Sequence, residues 1–359
     1  MKVLHVITSL QTGGAEKLMV DMLPRFRDNG LEVELCLFNG AKTPFYVQLE
    51  KSGVRIHDFG NGSVYNPLHI ILLANLVRKG HYDIVHTHNT SPQLFAALAS
   101  VLCSVVLCTT EHSTSNRRRG WKCYAPIDRW MYSKYRHVIC ISEGTEKNLV
   151  ESVKGISGKT SVIFNGVDLS KFECVGGDTC MKPSGDESIS IIQVAGFRYQ
   201  KDQDTVIKAL QYLPWNYNLY LVGDGARREE LESLVVGLNL QKRVYFLGVR
   251  TDVPSLLQKS DVVVVSSHWE GFGLAAVEGM AAGKPVFASD IEGLREVVGG
   301  AGILFGHGNE RDLAEKVESI MSNMPYYREV AEKCRQRAKD FDISKTVAGY
   351  IRTYQDLLQ

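Results

Sequence analysis

The sequence has no CxxC pair. Its eight cysteines are scattered over 359 residues, so neither a zinc cluster nor a disulfide framework is indicated, and the reduced thiols of a cytosol fit better. A strong charge of either sign is also missing: 41 Lys/Arg against 40 Asp/Glu give +1, and no nucleic-acid partner is expected. No secretory n-region and h-region precedes the first strand pattern, Lys2 to Thr8. Residues 90–110 carry no charge. Their most apolar part, Leu94 to Cys108, is nevertheless shorter than the ~20 residues of a membrane span and includes two serines. It reads as a buried helix, Gln93 to Leu102, followed by a strand, Val105 to Thr109. Internal repeats and low-complexity tracts are absent too.

What is present is ordinary globular composition, 44% apolar and 23% charged, at a length that suggests two domains. Residues 1–170 hold 19 Lys/Arg and 14 Asp/Glu, a net +5, and the remainder 22 and 26, a net −4. Two units with different partners are implied. Both halves alternate strand and helix patterns. The first runs from Lys2 to Phe164, with strands predicted at Val33–Phe38, Arg55–Asp58, Asp83–His86 and His137–Ile141. Ser142 is expected to cap the next helix, with Thr145 or Glu146 as its partner. Residues 173–188 have linker composition. The second series starts at Ser190 and ends in a helix predicted from Ile343 to Leu358. Such alternation predicts α/β architecture, with two doubly wound parallel sheets facing across a cleft.

One stretch organises the rest: Ser266 to Gly283, SSHWEGFGLAAVEGMAAG. The run Val262–Val265 leads in as a buried strand, and Pro285–Ser289 leads out as the next. Gly271 and Gly273 let backbone approach a ligand, since no Cβ intervenes. A helix expected near Leu274 then presents unpaired N–H groups and a positive dipole end, which suit a diphosphate. Glu270 and Glu278 would repel phosphate, so they read as acceptors for sugar or ribose hydroxyls. Three readings stay open on this stretch alone: a plain strand–helix corner, a dinucleotide site and a nucleotide-sugar site. For the second, Gly271-x-Gly273-x-x-Ala276 fits the fingerprint and Asp290 lies nineteen residues on. Against it, the bulky His268-Trp269-Glu270 separates strand from glycines.

Two glutamates with seven residues between them, around G-F-G, resemble the E-x₇-E signature of retaining GT-B glycosyltransferases, the large family that includes sucrose-phosphate synthases and bacterial polysaccharide transferases. Thr12-Gly13-Gly14-Ala15-Glu16 is similar to that family's G-G-A-E turn, in which Gly14 would face the donor diphosphate. Asn165-Gly166-Val167-Asp168 with Phe172 resembles its interdomain N-G-V-D…F. Gly196-Phe197-Arg198-Tyr199-Gln200-Lys201-Asp202 resembles the loop whose arginine and lysine hold the diphosphate. Here the chain departs from the pattern: Gly196 stands where the arginine is usual, and Arg198 comes two residues later.

The resemblance implies a metal-independent hexosyltransferase with no cofactor, acting on a nucleotide sugar (UDP as the expected nucleotide) with retention of configuration. Residues 1–170 would bind a glycan or lipid-linked acceptor and residues 171–340 the donor, with helix 343–359 packed back on the first domain. Catalysis is implied for His112, Glu270, Lys201 and Arg198. Donor binding is implied for Gly14, Lys201, Arg198, Gly271, Phe272, Gly273, Leu274 and Glu278. On the acceptor side, His88 is expected to face the cleft. Arg117, Arg118 and Arg119 beside Trp121 form either a solvated loop or a contact to an anionic membrane surface, placing the protein peripherally on the inner face. Asp202-x-Asp204 is read as a helix cap, with Asp204 as N-cap, rather than as a metal-binding pair. His86-x-His88 lacks evident further ligands for a metal. A nucleotide-sugar epimerase and a catalytically silent binding subunit are the competing functions.

Overall fold

The computed structural model describes residues 1–11, 13–114, 124–173 and 188–359. Thr12, the Arg117–Arg119 triplet with Trp121, and the linker proper at 174–187 lie outside the described residues. Two compact units result: 1–166 together with 343–359, and 167–342. The division falls after Gly166, where the sequence reading placed it after residue 170.

In the first unit seven parallel strands are ordered β3-β2-β1-β4-β5-β6-β7. They are β1 (Lys2–Ile7), β2 (Glu32–Leu37), β3 (Arg55–Asp58), β4 (Ile84–His88), β5 (Val106–Glu111), β6 (His137–Cys140) and β7 (Thr160–Val162). The crossovers are α1 (Gly14–Asp28), α2 (Pro44–Lys51), α3 (Leu68–Gly80), α4 (Thr90–Ala99), α5 (Ala125–Lys134) and α6 (Glu143–Ser152). Ser142 caps α6 by accepting from the Thr145 amide at 3.1 Å. One face of the sheet is covered by α3, α4 and their neighbours, through Leu73, Val77, Phe95, Tyr132 and Leu149. The other is covered by α1, α2 and the last helix, α14 (Ile343–Leu358). Ile343, Val347, Tyr350, Tyr354 and Leu357 recur at helical spacing on α14 and sit in that core, which is how a helix buries one stripe.

The second unit holds six parallel strands in the order β10-β9-β8-β11-β12-β13. These are β8 (Ile189–Val194), β9 (Tyr217–Val222), β10 (Val244–Gly248), β11 (Val262–Val265), β12 (Val286–Ser289) and β13 (Ile303–Phe305). Its helices are α7 (Gln203–Ala209), α8 (Arg228–Gly237), α9 (Val253–Lys259), α10 (Leu274–Ala281), α11 (Glu292–Val298), α12 (Glu310–Met321) and α13 (Met324–Ala338). Central β11 is buried at all four valines, as a strand covered on both faces must be. Asp204 does not cap α7. The helix begins two residues earlier than expected, Asp202 takes the N-cap position, and Asp204 lies in the first turn.

Candidate active site

In the second unit, β8 and β11 are neighbours, so the loops leaving their C-terminal ends run side by side. This is where open parallel sheets bind ligands. Gln193 ties the loops together by donating to the Lys201 carbonyl at 2.9 Å and to Ser266 Oγ at 3.0 Å. The His268 amide donates to the Gln200 carbonyl at 2.8 Å, and Gln200 Nε2 to the Trp269 carbonyl at 3.0 Å. Stitched in this way, the loops bring Lys201 Nζ into an ion pair with Glu270, both side chains largely buried. Gly273, at φ 92°, turns the chain through the left-handed region and starts α10. The first-turn amides from Leu274 therefore begin four residues after Glu270 of the Lys201–Glu270 pair. Glu278, one turn on, is 4% exposed.

Arg198 is exposed, and it makes no ion pair among the described residues. Its Nε lies 3.8 Å from the point where a Cβ on Gly196 would stand, so its head covers the position that the shifted motif leaves empty. The Phe272 side chain is 2% exposed and packs edge-on against Phe341 at 5.3 Å. Only its backbone can face a donor. The Asp202-x-Asp204 carboxylates are also engaged. Arg227 grips Asp204 with two bonds, at 2.7 and 3.0 Å, and Asp202 accepts the Thr205 hydroxyl at 2.8 Å.

The turn before α10 rests on Gly293 of α11, which sequence reasoning missed. A Cβ there would collide with the Glu270 carbonyl and the Gly271 backbone. Gly293→Ala is expected to displace this turn, lowering activity at least tenfold for a stability loss of about 1–3 kcal/mol. Thermal melts and steady-state rates on one preparation check this, and a wild-type rate would refute it.

In the first unit, Gly13 in extended backbone is the N-cap of α1, which begins at Gly14. Beside it Asn89 holds φ 69° and ψ 166°, a region that costs a non-glycine residue about 1–3 kcal/mol. Its side chain donates to Thr8 Oγ1 at 3.0 Å and to Glu16 Oε1 at 3.5 Å. The dihedral is invisible in sequence; only the position after His88 could have drawn attention to it.

The expectation that His88 faces the cleft is corrected. It is fully buried, and its two ring nitrogens meet His5 Nδ1 at 3.1 Å and His112 Nε2 at 2.9 Å. His88 therefore has no ring nitrogen open to a ligand, whereas its neighbour His112 stays partly exposed. His5 was missed. Parallel pairing sets it opposite His86, 81 residues away in sequence. Burial pushes His5 down to about 3 and His112 down to about 4, and holds His86 and His88 well below the usual imidazole range. Glu111 is buried, accepting from Gln93 Nε2 at 2.6 Å and the Tyr132 hydroxyl at 2.5 Å, and so anchors the end of β5 ahead of His112.

His5, His86 and His88 bring ring nitrogens within 4.8 Å of one another. Their rings are stacked, however, at interplanar angles of 10–19°. Lone pairs of parallel rings do not converge on one point as a metal requires. Each of their nitrogens also has a hydrogen-bond partner.

Among the described residues no helix is long and apolar enough to cross a membrane.

Residues 182–341 match the family model described as glycosyl transferases group 1, and residues 12–171 match glycosyltransferase family 4. An uncharacterized glycosyltransferase of Methanocaldococcus jannaschii is 27% identical over 96% of this chain and 95% of its own length. The Escherichia coli UDP-Gal:alpha-D-GlcNAc-diphosphoundecaprenol alpha-1,3-galactosyltransferase is 32% identical over 62% of each chain. The crystal structure of Anabaena Alr3699/HepE in complex with UDP and glucose superposes with a TM-score of 0.86 at 25% identity, covering 99% of both chains. Both sheets and both halves of the sequence thus match one architecture, and the protein belongs to the GT-B glycosyltransferases.

Proposed function

We propose that the protein transfers a hexose from a UDP-sugar to a hydroxyl of a glycan or lipid-linked acceptor, with retention of anomeric configuration, in the synthesis of cell-surface polysaccharide or glycoconjugate. The observation that carries this reading is the Lys201–Glu270 ion pair ahead of α10. It keeps a cation ready where a departing diphosphate gains charge. The UDP held by the Anabaena relative and the UDP-Gal in the name of the Escherichia coli relative favour the uridine nucleotide. An intact Lys201, Glu270 and Glu278 argue against a silent subunit.

In this mechanism the acceptor oxygen attacks the anomeric carbon on the face from which the diphosphate leaves. The bond from that carbon to the phosphate oxygen breaks, and the departing UDP takes the acceptor proton. Lys201, Arg198 and the amides of residues 271–274 stabilise the growing negative charge. Glu270 accepts from sugar hydroxyls and Glu278 from the ribose. The second unit binds the donor and the first unit the acceptor, with His112 as the first unit's contact to the transferred sugar. Arg117, Arg118 and Arg119 would add an anionic lipid surface at the cytoplasmic face.

No metal or other cofactor takes part in this proposal, since Arg227 and Thr205 already occupy the Asp202-x-Asp204 carboxylates. Transfer is therefore expected to continue at an unchanged rate in EDTA; a strong magnesium requirement would overturn that part. The function itself is tested with a panel of UDP-sugars, scoring thermal stabilisation and transfer into lipid extracts and reading the product's anomeric configuration by proton NMR. Conversion of free UDP-sugar without transfer would identify an epimerase instead.

A further inference from the structure

The buried polar groups of the first unit form a single file. The Tyr350 hydroxyl meets Thr110 Oγ1 at 3.0 Å, Thr110 Oγ1 meets His86 Nε2 at 2.8 Å, and His86 Nδ1 meets the Tyr354 hydroxyl at 2.6 Å. That hydroxyl lies 3.4 Å from His5 Nε2, the longest link; His5 Nδ1 then meets His88, and His88 meets His112. Seven groups are joined by six links. Each group carries one bridging proton, because a neutral imidazole has one N–H and a hydroxyl one O–H. Six protons fill the links, and the seventh must stand at an end of the file.

The two ends differ. Tyr350 is fully buried, and Thr110 is its sole hydrogen-bond partner among the described residues. A seventh proton left there would be a buried donor without an acceptor, which folded proteins avoid. His112 Nδ1 is itself buried and also has no partner among the described residues, so the ends differ in what they leave unmatched: run from Tyr350 the file leaves only the Nδ1–H, whereas run from His112 it leaves both the Tyr350 O–H and the Nδ1 lone pair. The His112 residue as a whole is partly exposed, the side from which a ligand would meet that N–H.

We propose that this file runs one way, from Tyr350 to His112, and fixes His112 as the tautomer protonated on Nδ1, so that it donates a hydrogen bond to its ligand and does not act as a base. Tyr354 of α14 is then a positioning residue. Its O–H donates to His5 Nε2 and obliges His5 to carry its proton on Nδ1, from where His88 and His112 follow in turn. Burial supports the count, since it keeps the four imidazoles neutral at pH 7 and Tyr354 protonated. The assignment of the tautomer stands on the geometry alone; its catalytic consequence rests on the transferase reading.

The test is long-range proton–nitrogen NMR on histidine-labelled, ligand-free protein at pH 7.5, with His112→Gln used to assign the His112 signals. Wild type is expected to show His112 protonated on Nδ1. Tyr354→Phe removes the link between His86 and His5 and is expected to give a mixture of both tautomers at His112. Tyr350→Phe deletes a buried hydroxyl from the same helix but leaves Thr110 able to donate to His86, so the tautomer should not change. In transfer assays Tyr354→Phe is expected to lower kcat/KM about tenfold. In a His112→Gln background, where an amide donates whatever the file does, the same change should have no further effect. Wild-type His112 protonated on Nε2 would overturn the proposal, even if no variant folds. So would an unchanged tautomer in Tyr354→Phe, or an undiminished Tyr354→Phe loss in the His112→Gln background. Nδ1 protonation in a protein that transfers no sugar from any UDP-sugar would keep the relay and remove the transferase reading.

Discussion

Lys201→Ala is expected to lower kcat by about 10²–10³, the scale of losing one electrostatic stabiliser of a developing charge. In the proposed mechanism the lysine meets a diphosphate whose negative charge grows as the sugar leaves, so its contribution rises along the reaction coordinate. Its pairing with Glu270 sharpens the expectation. A cation already held in place needs no reorganisation at the moment of reaction, whereas a mobile lysine would. Glu278→Ala is expected to behave differently. A carboxylate on ribose hydroxyls helps ground and transition states alike, so its loss raises KM for the donor and leaves kcat nearly unchanged. A hydrogen bond to a charged acceptor is worth roughly 1.5–3 kcal/mol, or about one to two decades in KM. Arg198→Ala should follow the lysine, because its guanidinium reaches over Gly196. Steady-state kinetics with donor varied at saturating acceptor separates these cases. Wild-type kcat in Lys201→Ala together with lost kcat in Glu278→Ala would reverse the two roles.

The second large effect is on stability in mild acid. His5, His86 and His88 are fully buried, and burial holds all three below the ordinary imidazole value of 6.5, His5 at about 3. Below pH 6.5 the unfolded chain binds protons that the folded unit refuses. Stability is therefore fully present above pH 6.5 and falls as pH drops from there toward the folded values. At pH 5 His5 alone, held at about 3, costs about 2 kcal/mol. His86 and His88 act in the same direction, and the loss is set against the whole stability of a typical domain, about 5–15 kcal/mol. Urea unfolding at pH 7.5, 6 and 5 measures it; a midpoint that stays constant over this range would show that the imidazoles are not held neutral.

Much of the architecture is legible in the sequence because apolar strands and long amphipathic helices leave periodic traces. The strand at Val262–Val265 and the final helix from Ile343 are read directly from such traces, and the start of α10 at Leu274 from the glycines that precede it. Two crossover helices, α2 and α11, escape because eight and seven residues are too few to display a helical period. Thr43 followed by Pro44 does carry a start signal for α2, and its side chain accepts from the Tyr46 amide. In the site, glycines and charges with fixed spacing are readable, and Lys201 and Glu270 both come from motifs. What remains hidden depends on neighbours far along the chain: His5 beside His86, Tyr354 bonded to it, and Gly293 beneath the Glu270 turn. Asp204 misleads for the same reason, since its partner Arg227 belongs to the next crossover.

The return of α14 to the first unit fixes an order of events on the ribosome. Residues 167–342 are contiguous and can complete their own fold as soon as they emerge. Residues 1–166 are made first but lack Tyr350 and Tyr354, so the part of one sheet face that α14 covers, beside the imidazoles of β1 and β4, stays open while the whole second unit is synthesised. At about 5–20 residues per second that interval is on the order of ten seconds or more. During it the nascent first unit exposes polar and apolar groups that only the last segment can satisfy, a window in which chaperones have something to hold. Translation order and folding order are thus inverted, and the earliest-made sheet is the last to be sealed.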